Sequence, residues 1–62
     1  MPCKYRFHVE LSAGQDIRIV DADSYEQRDD CIVFFRSRPQ GGQMEYWRVN
    51  KLFFVSMETN LL

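Results

Sequence analysis

The stretch from Lys4 to Leu11, with the sequence KYRFHVEL, alternates polar and apolar side chains from end to end. Its apolar members are Tyr5, Phe7, Val9 and Leu11, and charged or histidine side chains stand between them. Successive side chains of a β-strand point to opposite faces of a sheet, so one face of this stretch suits a core and the other suits water. The stretch therefore predicts a strand of a half-buried sheet.

The same period of two recurs along the rest of the chain and predicts four further strands. We place these strands at residues 17–20, 31–37, 43–49 and 52–57. Gly14 predicts a tight hairpin turn in the polar segment after the first strand. The adjacent apolar pair Ile19-Val20 breaks the alternation of the second strand, which indicates a bulge or a change of facing. Residues 31–37 are apolar on both faces, which is typical of a central strand covered twice, of a barrel or of an interface.

The polar middle of the chain, residues 21–30, holds five of the nine acidic residues, namely Asp21, Asp23, Glu26, Asp29 and Asp30. Asp23 and Glu26 are three residues apart, the spacing of a capping box, which predicts one short helical turn near residues 23–28. An extended continuation of the second strand, with Tyr25 packed inward, fits the same residues equally well. Residues 27–30 form a turn in either interpretation.

The connections between these segments are too short for the crossover that parallel strands need. We therefore predict a single all-β domain over residues 1–62, an antiparallel meander of about five strands. It would form either a curled sheet or a small barrel, for which barrels of the SH3 or Sm type are a general architectural analogy that no motif supports. Residues 59–62 are expected to be a frayed tail.

Composition narrows the class of protein further. The chain has 62 residues, of which 45% are apolar, and its formal net charge is −1. A chain of this length buries only about 60% of its unfolded surface, which leaves little room for a deep cavity beside a core. It has neither an apolar run of membrane-spanning length nor the pattern of a secretory leader. We expect a cytoplasmic protein in which Cys3 and Cys31 are free thiols, a disulfide between them being the less favoured alternative.

Catalytic and metal-binding patterns are weak. Cys3, His8 and Cys31 are too few and too irregularly spaced for a structural zinc site. The acidic segment fails as an EF-hand loop because Glu26 stands where glycine is required and Ile32 where a bidentate glutamate belongs. No nucleophile or phosphate-loop motif occurs. We therefore expect no enzyme activity, no metal and no cofactor.

Nucleic-acid binding is the second hypothesis. Residues 31–62 carry four basic against two acidic residues, whereas residues 1–30 carry four basic against seven acidic ones. A mixture of cations and aromatic side chains in the second half is typical of single-strand binders. The cations would be Arg36, Arg38, Arg48 and Lys51.

Protein binding is the leading hypothesis. The last three predicted strands carry apolar bulk on both faces, more than one small sheet can cover, and such surplus marks interaction surfaces. Tyr46-Trp47-Arg48, flanked by Phe53 and Phe54, has the residue types enriched in binding hot spots. The five acidic residues of segment 21–30 would add an electrostatic surface. We predict a module that binds another protein, forms homo-oligomers, and could regulate or inhibit a larger enzyme by covering its surface.

Overall fold

Backbone hydrogen bonding between strands organises the whole of the described chain. The computed structural model describes residues 3–12 and 16–62, and within these ranges the protein is all-β without a helix. Its six strands are β1 (Tyr5–Leu11), β2 (Ile17–Ala22), β3 (Ser24–Gln27), β4 (Cys31–Ser37), β5 (Gln43–Asn50) and β6 (Phe54–Leu61). The prediction of an all-β antiparallel protein is confirmed. The hairpin turn predicted at Gly14 lies outside the described residues.

The strands form two three-stranded antiparallel sheets, which we call sheet A (β2-β1-β6) and sheet B (β3-β4-β5). Only Asp23 separates β2 from β3, so the chain passes from sheet A to sheet B at this one residue. On the opposite side, β5 and β6 follow each other but belong to different sheets. The predicted barrel is wrong, because β5 pairs along β4 and β6 along β1, and the turn after Asn50 crosses from one sheet to the other.

The core lies between the two sheets. Phe7 and Val9 of β1 are buried with Val20 of β2, and Phe34 of β4 is buried on the facing sheet. The rings of Phe7 and Phe34 have their centroids 5.2 Å apart, which joins the two sheets directly. The inward set predicted for the first strand is thus confirmed in its two central residues, and Tyr5 and Leu11 pack against the rim of the core.

The second strand differs from its predicted pattern. The ladder between β1 and β2 runs without a register shift from Tyr5–Ala22 to Glu10–Ile17, so the predicted bulge or change of facing at Ile19-Val20 is wrong. Val20 and Ala22 point inward because they pair with inward residues of β1, and Ile17 and Ile19 are left exposed on the outer face. The register shifts lie elsewhere, between Glu10 and Leu11 and between Phe34 and Phe35.

The segment after Asp23 is extended. Ser24–Gln27 forms β3, so the extended alternative is confirmed and the helical turn near residues 23–28 is wrong. β3 does not continue β2, however, because it belongs to sheet B. The reason lies in Asp23, whose carboxylate accepts hydrogen bonds from the backbone N–H groups of Lys4 (3.0 Å) and Ser37 (2.7 Å) instead of capping a helix. The ring of Tyr25 lies 5.6 Å from that of Phe7, although the residue remains partly exposed.

The end of the chain is a strand. β6 begins at Phe54 and not at Leu52, and it continues to Leu61 as the partner of β1. The backbone N–H of Leu62 donates a 2.9 Å hydrogen bond to the carbonyl of Lys4. The expectation of a frayed tail at residues 59–62 is therefore wrong, because β1 offers a full-length partner for these residues.

The central strand of sheet B is buried on both faces although no second layer covers its outer face. Val33 points outward, between the inward residues Ile32 and Phe34, yet it is fully buried. Its neighbours across the two ladders are Glu26 and Arg48. Long charged side chains cover apolar surface with their aliphatic stems while their charged groups stay in water. Charged side chains on the two neighbouring strands can thus cover an outward-facing apolar residue. The sequence pattern alone predicts a further layer over such a strand.

Two phenylalanines offer a matched test of the core. Phe34→Ala removes a fully buried ring, and we expect a loss of about 3–5 kcal/mol in the free energy of unfolding. That loss is comparable with the total of about 3–9 kcal/mol expected for a chain of this length. Phe53→Ala removes a half-exposed ring and serves as the control. Urea denaturation followed by circular dichroism measures both, and equal losses would contradict the placement of the core.

The Asp23 carboxylate makes stability depend on pH. Its hydrogen bonds from the N–H groups of Ser37 and Lys4 hold its pKa below the ordinary value. A pKa lowered by folding contributes stability that is complete above the unfolded pKa and is lost as the pH falls through the folded one. We therefore expect Asp23→Asn to lower the melting temperature at neutral pH, and the gap to wild type to narrow below about pH 4. Asp29→Asn, in the exposed turn before β4, is the control, and the same pH dependence in both variants would contradict the role of Asp23.

Candidate interaction surfaces

The triplet Tyr46-Trp47-Arg48 does not form one group, because successive residues of β5 point to different faces. Trp47 points inward, with its ring centroid 5.6 Å from that of Phe34 and the guanidinium of Arg18 5.3 Å above its ring. Arg48 lies on the outer face of sheet B, across the ladder from Val33. Trp47 thus supports the rim of the core, and only its partly exposed edge can meet a partner.

Tyr46 lies at the register shift of β5, where its side chain is partly exposed. The guanidinium of Arg36 stacks on its ring at 3.4 Å. The Nε–H of Arg36 also donates a 2.9 Å hydrogen bond to the backbone carbonyl of Asp21 in sheet A. Arg36 therefore connects the two sheets, and its side chain is held in one orientation.

The end of the molecule beyond Asn50 is apolar. Leu52 is 82% exposed, and Phe53 and Val55 are about half exposed. We call these three residues the apolar tip. Phe54, which sequence reasoning included in the binding group, instead packs against the core. A signal for Leu52 was present in the sequence, because Asn50 can form an Asx-type turn, and its Oδ1 accepts a 2.9 Å hydrogen bond from the N–H of Leu52.

The five acidic residues of segment 21–30 do not share one surface. Asp21 forms a two-point ion pair with Arg6, with N–O distances of 2.8 and 3.2 Å, which lowers the pKa of Asp21. Asp23 is engaged at the junction of the sheets. Glu26 lies 3.4 Å from Arg28, whereas Asp29 and Asp30 lie in the turn before β4. Two of the five carboxylates therefore act within the fold.

The four cations proposed for nucleic-acid binding are also dispersed. Arg48 donates two hydrogen bonds to Glu45, at 2.9 and 2.6 Å, which raises the pKa of Arg48 and lowers that of Glu45. Lys51 lies beside the apolar tip, its N–H bonded to the carbonyl of Asp30. Arg36 and Arg38 line a cavity at the opposite end of the molecule. The structure thus brings together two of the four cations and separates the other two.

The edge of β6 is a feature that sequence reasoning missed. The N–H of Leu62 bonds to Lys4, and hydrogen-bonded pairs alternate along an antiparallel ladder. The backbone groups of Asn60 and Glu58 therefore point to β1, and those of Met57, Thr59 and Leu61 point to the free edge of sheet A. The signal was the continued alternation of Met57, Thr59 and Leu61 with polar residues.

A second open cavity, of about 470 Å³, lies between the sheets and is lined by Tyr5, Phe7, Asp23, Ser24, Tyr25 and Thr59.

His8 lies on the outer face of sheet A and Cys31 on the outer face of sheet B, so this thiol and the imidazole point to opposite sides of the molecule. Among the described residues, no three His, Cys, Asp or Glu side chains lie close enough to share a metal ion.

The described residues thus present three candidate interaction surfaces, namely the unpaired edge of β6, the apolar tip and the cavity lined by Arg36 and Arg38. Residues 3–12 and 16–62 contain no helix that is long and apolar enough to cross a membrane. No protein-family model, curated protein sequence or solved structure matches the chain.

Proposed function

We propose that the protein is a non-enzymatic interaction module that binds another polypeptide by adding a strand to the free edge of β6. The observation that carries this proposal is the unprotected state of that edge. β6 is eight residues long and contains no Lys, Arg or Pro, the residues with which proteins usually block an exposed edge. An unpaired edge of this length is a template for strand addition.

The other edges of the two sheets are better protected. β3 has only four residues, and β2 has six and carries Arg18. β5 is as long as β6, but its register shift falls in its middle, at Tyr46, and it carries the Glu45–Arg48 ion pair. The register shift of β6 falls near its start, at Val55, and leaves Ser56 to Leu61 regular. Short length, charge and irregularity are the devices that discourage pairing. β6 is therefore the edge at which a further strand meets the fewest obstacles.

Exposed apolar side chains flank both ends of this edge. Leu61, near the end of β6, is 79% exposed, and Val55 and the rest of the apolar tip lie at its start. Covering such a side chain is worth about 1–3 kcal/mol. Main-chain hydrogen bonds along the edge and apolar contacts at its two ends would together give affinity and register.

We infer that the first occupant of this edge is a second copy of the chain, with the two β6 strands antiparallel. Only residues whose backbone faces the edge can pair, which selects Met57, Thr59 and Leu61. A register centred on Thr59 pairs Met57 with the second copy's Leu61 and sets Glu58 opposite Asn60. A register centred on Glu58 would oppose two like charges, which destabilises a strand pair. The sequence of β6 thus favours the register centred on Thr59 over the one centred on Glu58.

The same edge would accept an extended segment of a different protein. A module of this size could regulate or inhibit a larger enzyme by binding such a segment of it, as the sequence suggests. Single-stranded nucleic-acid binding receives less support, since two of its four cations lie away from the cavity formed by the other two.

Two neighbouring proline substitutions test the β6 edge. Thr59→Pro removes an N–H that faces outward, and proline is tolerated at such positions of edge strands. We expect this variant to stay folded and to lose self-association in light scattering and sedimentation. Asn60→Pro removes an N–H that bonds to β1, and we expect it to destabilise the monomer itself.

Hydrogen exchange supplies an independent measurement. In the associated protein the amides of Met57 and Thr59 should exchange more slowly than after dilution, whereas those of Glu58 and Asn60 should change much less. A chain that stays monomeric at millimolar concentration would refute self-association. An associated form that Thr59→Pro leaves intact would refute the β6 edge as its location.

A further inference from the structure

We propose that the cavity at the start of β1 is a binding site for the phosphate group of a small molecule. This cavity has a volume of about 310 Å³ and is lined by Cys3, Lys4, Asp23, Arg36, Ser37, Arg38 and Pro39. We call it the cationic cavity. Its volume lies at the lower end of the range of small-molecule sites. It is formed by the start of β1 and the end of β4, at the opposite end of β1 from the apolar tip.

The cavity has three cations in its lining, Lys4, Arg36 and Arg38. They lack the carboxylate partners that most of the other arginines have. Within the described part of the chain, Arg6, Arg28 and Arg48 each form an ion pair with a carboxylate. Arg18 lies over the ring of Trp47. The side chains of Lys4, Arg36 and Arg38 have no carboxylate within ion-pair distance among the residues 3–12 and 16–62. With three cations against the single carboxylate of Asp23, the lining carries a surplus of positive charge, which raises the local concentration of anions.

The one carboxylate of the wall is already engaged. Both oxygens of Asp23 accept backbone hydrogen bonds, one from Lys4 and the other from Ser37. Those contacts fix the backbone on both sides of the cavity, since Lys4 precedes β1 and Ser37 ends β4. Asp23 thereby shapes the wall, and neither of these two hydrogen bonds uses a donor of the three cationic side chains.

Arg36 is oriented before any ligand binds. Its Nε–H is bonded to the carbonyl of Asp21, and its guanidinium plane lies on the ring of Tyr46. These contacts leave the two terminal amino groups available to a ligand. A planar guanidinium matches two phosphate oxygens at once, and a side chain held in place loses less entropy on binding.

Arg38 and Lys4 complete the arrangement from two other segments. The backbone of Arg38 is held in the tight loop before β5, where its N–H bonds to Gly42 and its carbonyl accepts from Gly41, both at 3.0 Å. Both glycines have positive φ, of 103° for Gly41 and 77° for Gly42, a conformation that favours glycine. A dianionic phosphate group suits three cations better than a singly charged carboxylate does.

The cavity contains its own reporter, because Cys3 is partly exposed in its wall whereas Cys31 is buried elsewhere. We would alkylate the protein with iodoacetamide, with and without inorganic phosphate, at constant ionic strength set with sodium chloride. Mass spectrometry of the two cysteine peptides gives both rates. Phosphate at a concentration equal to its dissociation constant should slow the labelling of Cys3 about twofold. The labelling of Cys31 should not change.

A matched pair of charge-neutralising variants tests the residues. Arg38→Gln should abolish the protection of Cys3, whereas Lys51→Gln, which removes the same charge at the other end of the molecule, should preserve it. Circular dichroism checks that both variants are folded. Equal protection in Arg38→Gln and wild type, or no protection by phosphate at all, would overturn the proposal.

Two further arms identify the source of the phosphate group. Protection by a nucleoside monophosphate at lower concentration than inorganic phosphate supports a phosphorylated metabolite, and equal protection supports free phosphate. Protection only by an oligonucleotide, with a steep salt dependence, would overturn the small-molecule site in favour of nucleic acid. None of these outcomes depends on self-association, which Thr59→Pro tests separately.

Discussion

The structure depends on the way Asp23 turns a single long strand into two. One residue, Asp23, separates β2 from β3, and at that residue the chain leaves sheet A and enters sheet B. The Asp23 carboxylate binds the backbone ahead of β1 and at the end of β4, so it ties a strand segment of each sheet to the corner between them. With the corner fixed, Phe7 and Phe34 face each other and the core can form. The free edge of β6 and the cationic cavity follow from the same geometry.

Much of the strand content could be predicted because alternation is a local property. β1 and β4 lie where the sequence predicts them, since each has a run of side chains that suits a strand. The division into two sheets could not be predicted in the same way. It depends on which edges pair, and β5 and β6 choose β4 and β1 over each other. The burial of Val33 shows the same limit, because Val33 points outward between the charged residues Glu26 and Arg48, which carry no apolar signal in the sequence.

The candidate surfaces also differ in how far the sequence alone could predict them. Tyr46, Trp47 and Arg48 look like one hot spot in the sequence, but a strand distributes three successive side chains over different faces. Phe53 is half exposed, whereas Phe54 packs on the core. The cationic cavity joins Lys4 with Arg36 and Arg38 across more than thirty positions of sequence. Only the packing of β1 against the end of β4 could show that Lys4 belongs with them.

The pairing of β6 with β1 also has a consequence for how the chain folds. Tyr5 and Leu61 are paired although almost the whole sequence separates them, whereas β3, β4 and β5 form a local meander. Closing a long loop costs more entropy than closing a short one, and pairing of distant segments slows folding. Sheet B can therefore form first, while one side of β1 waits for the last strand. The ladder between β1 and β6 therefore has the largest cost of loop closure in the fold, although it is the ladder that satisfies the second edge of β1.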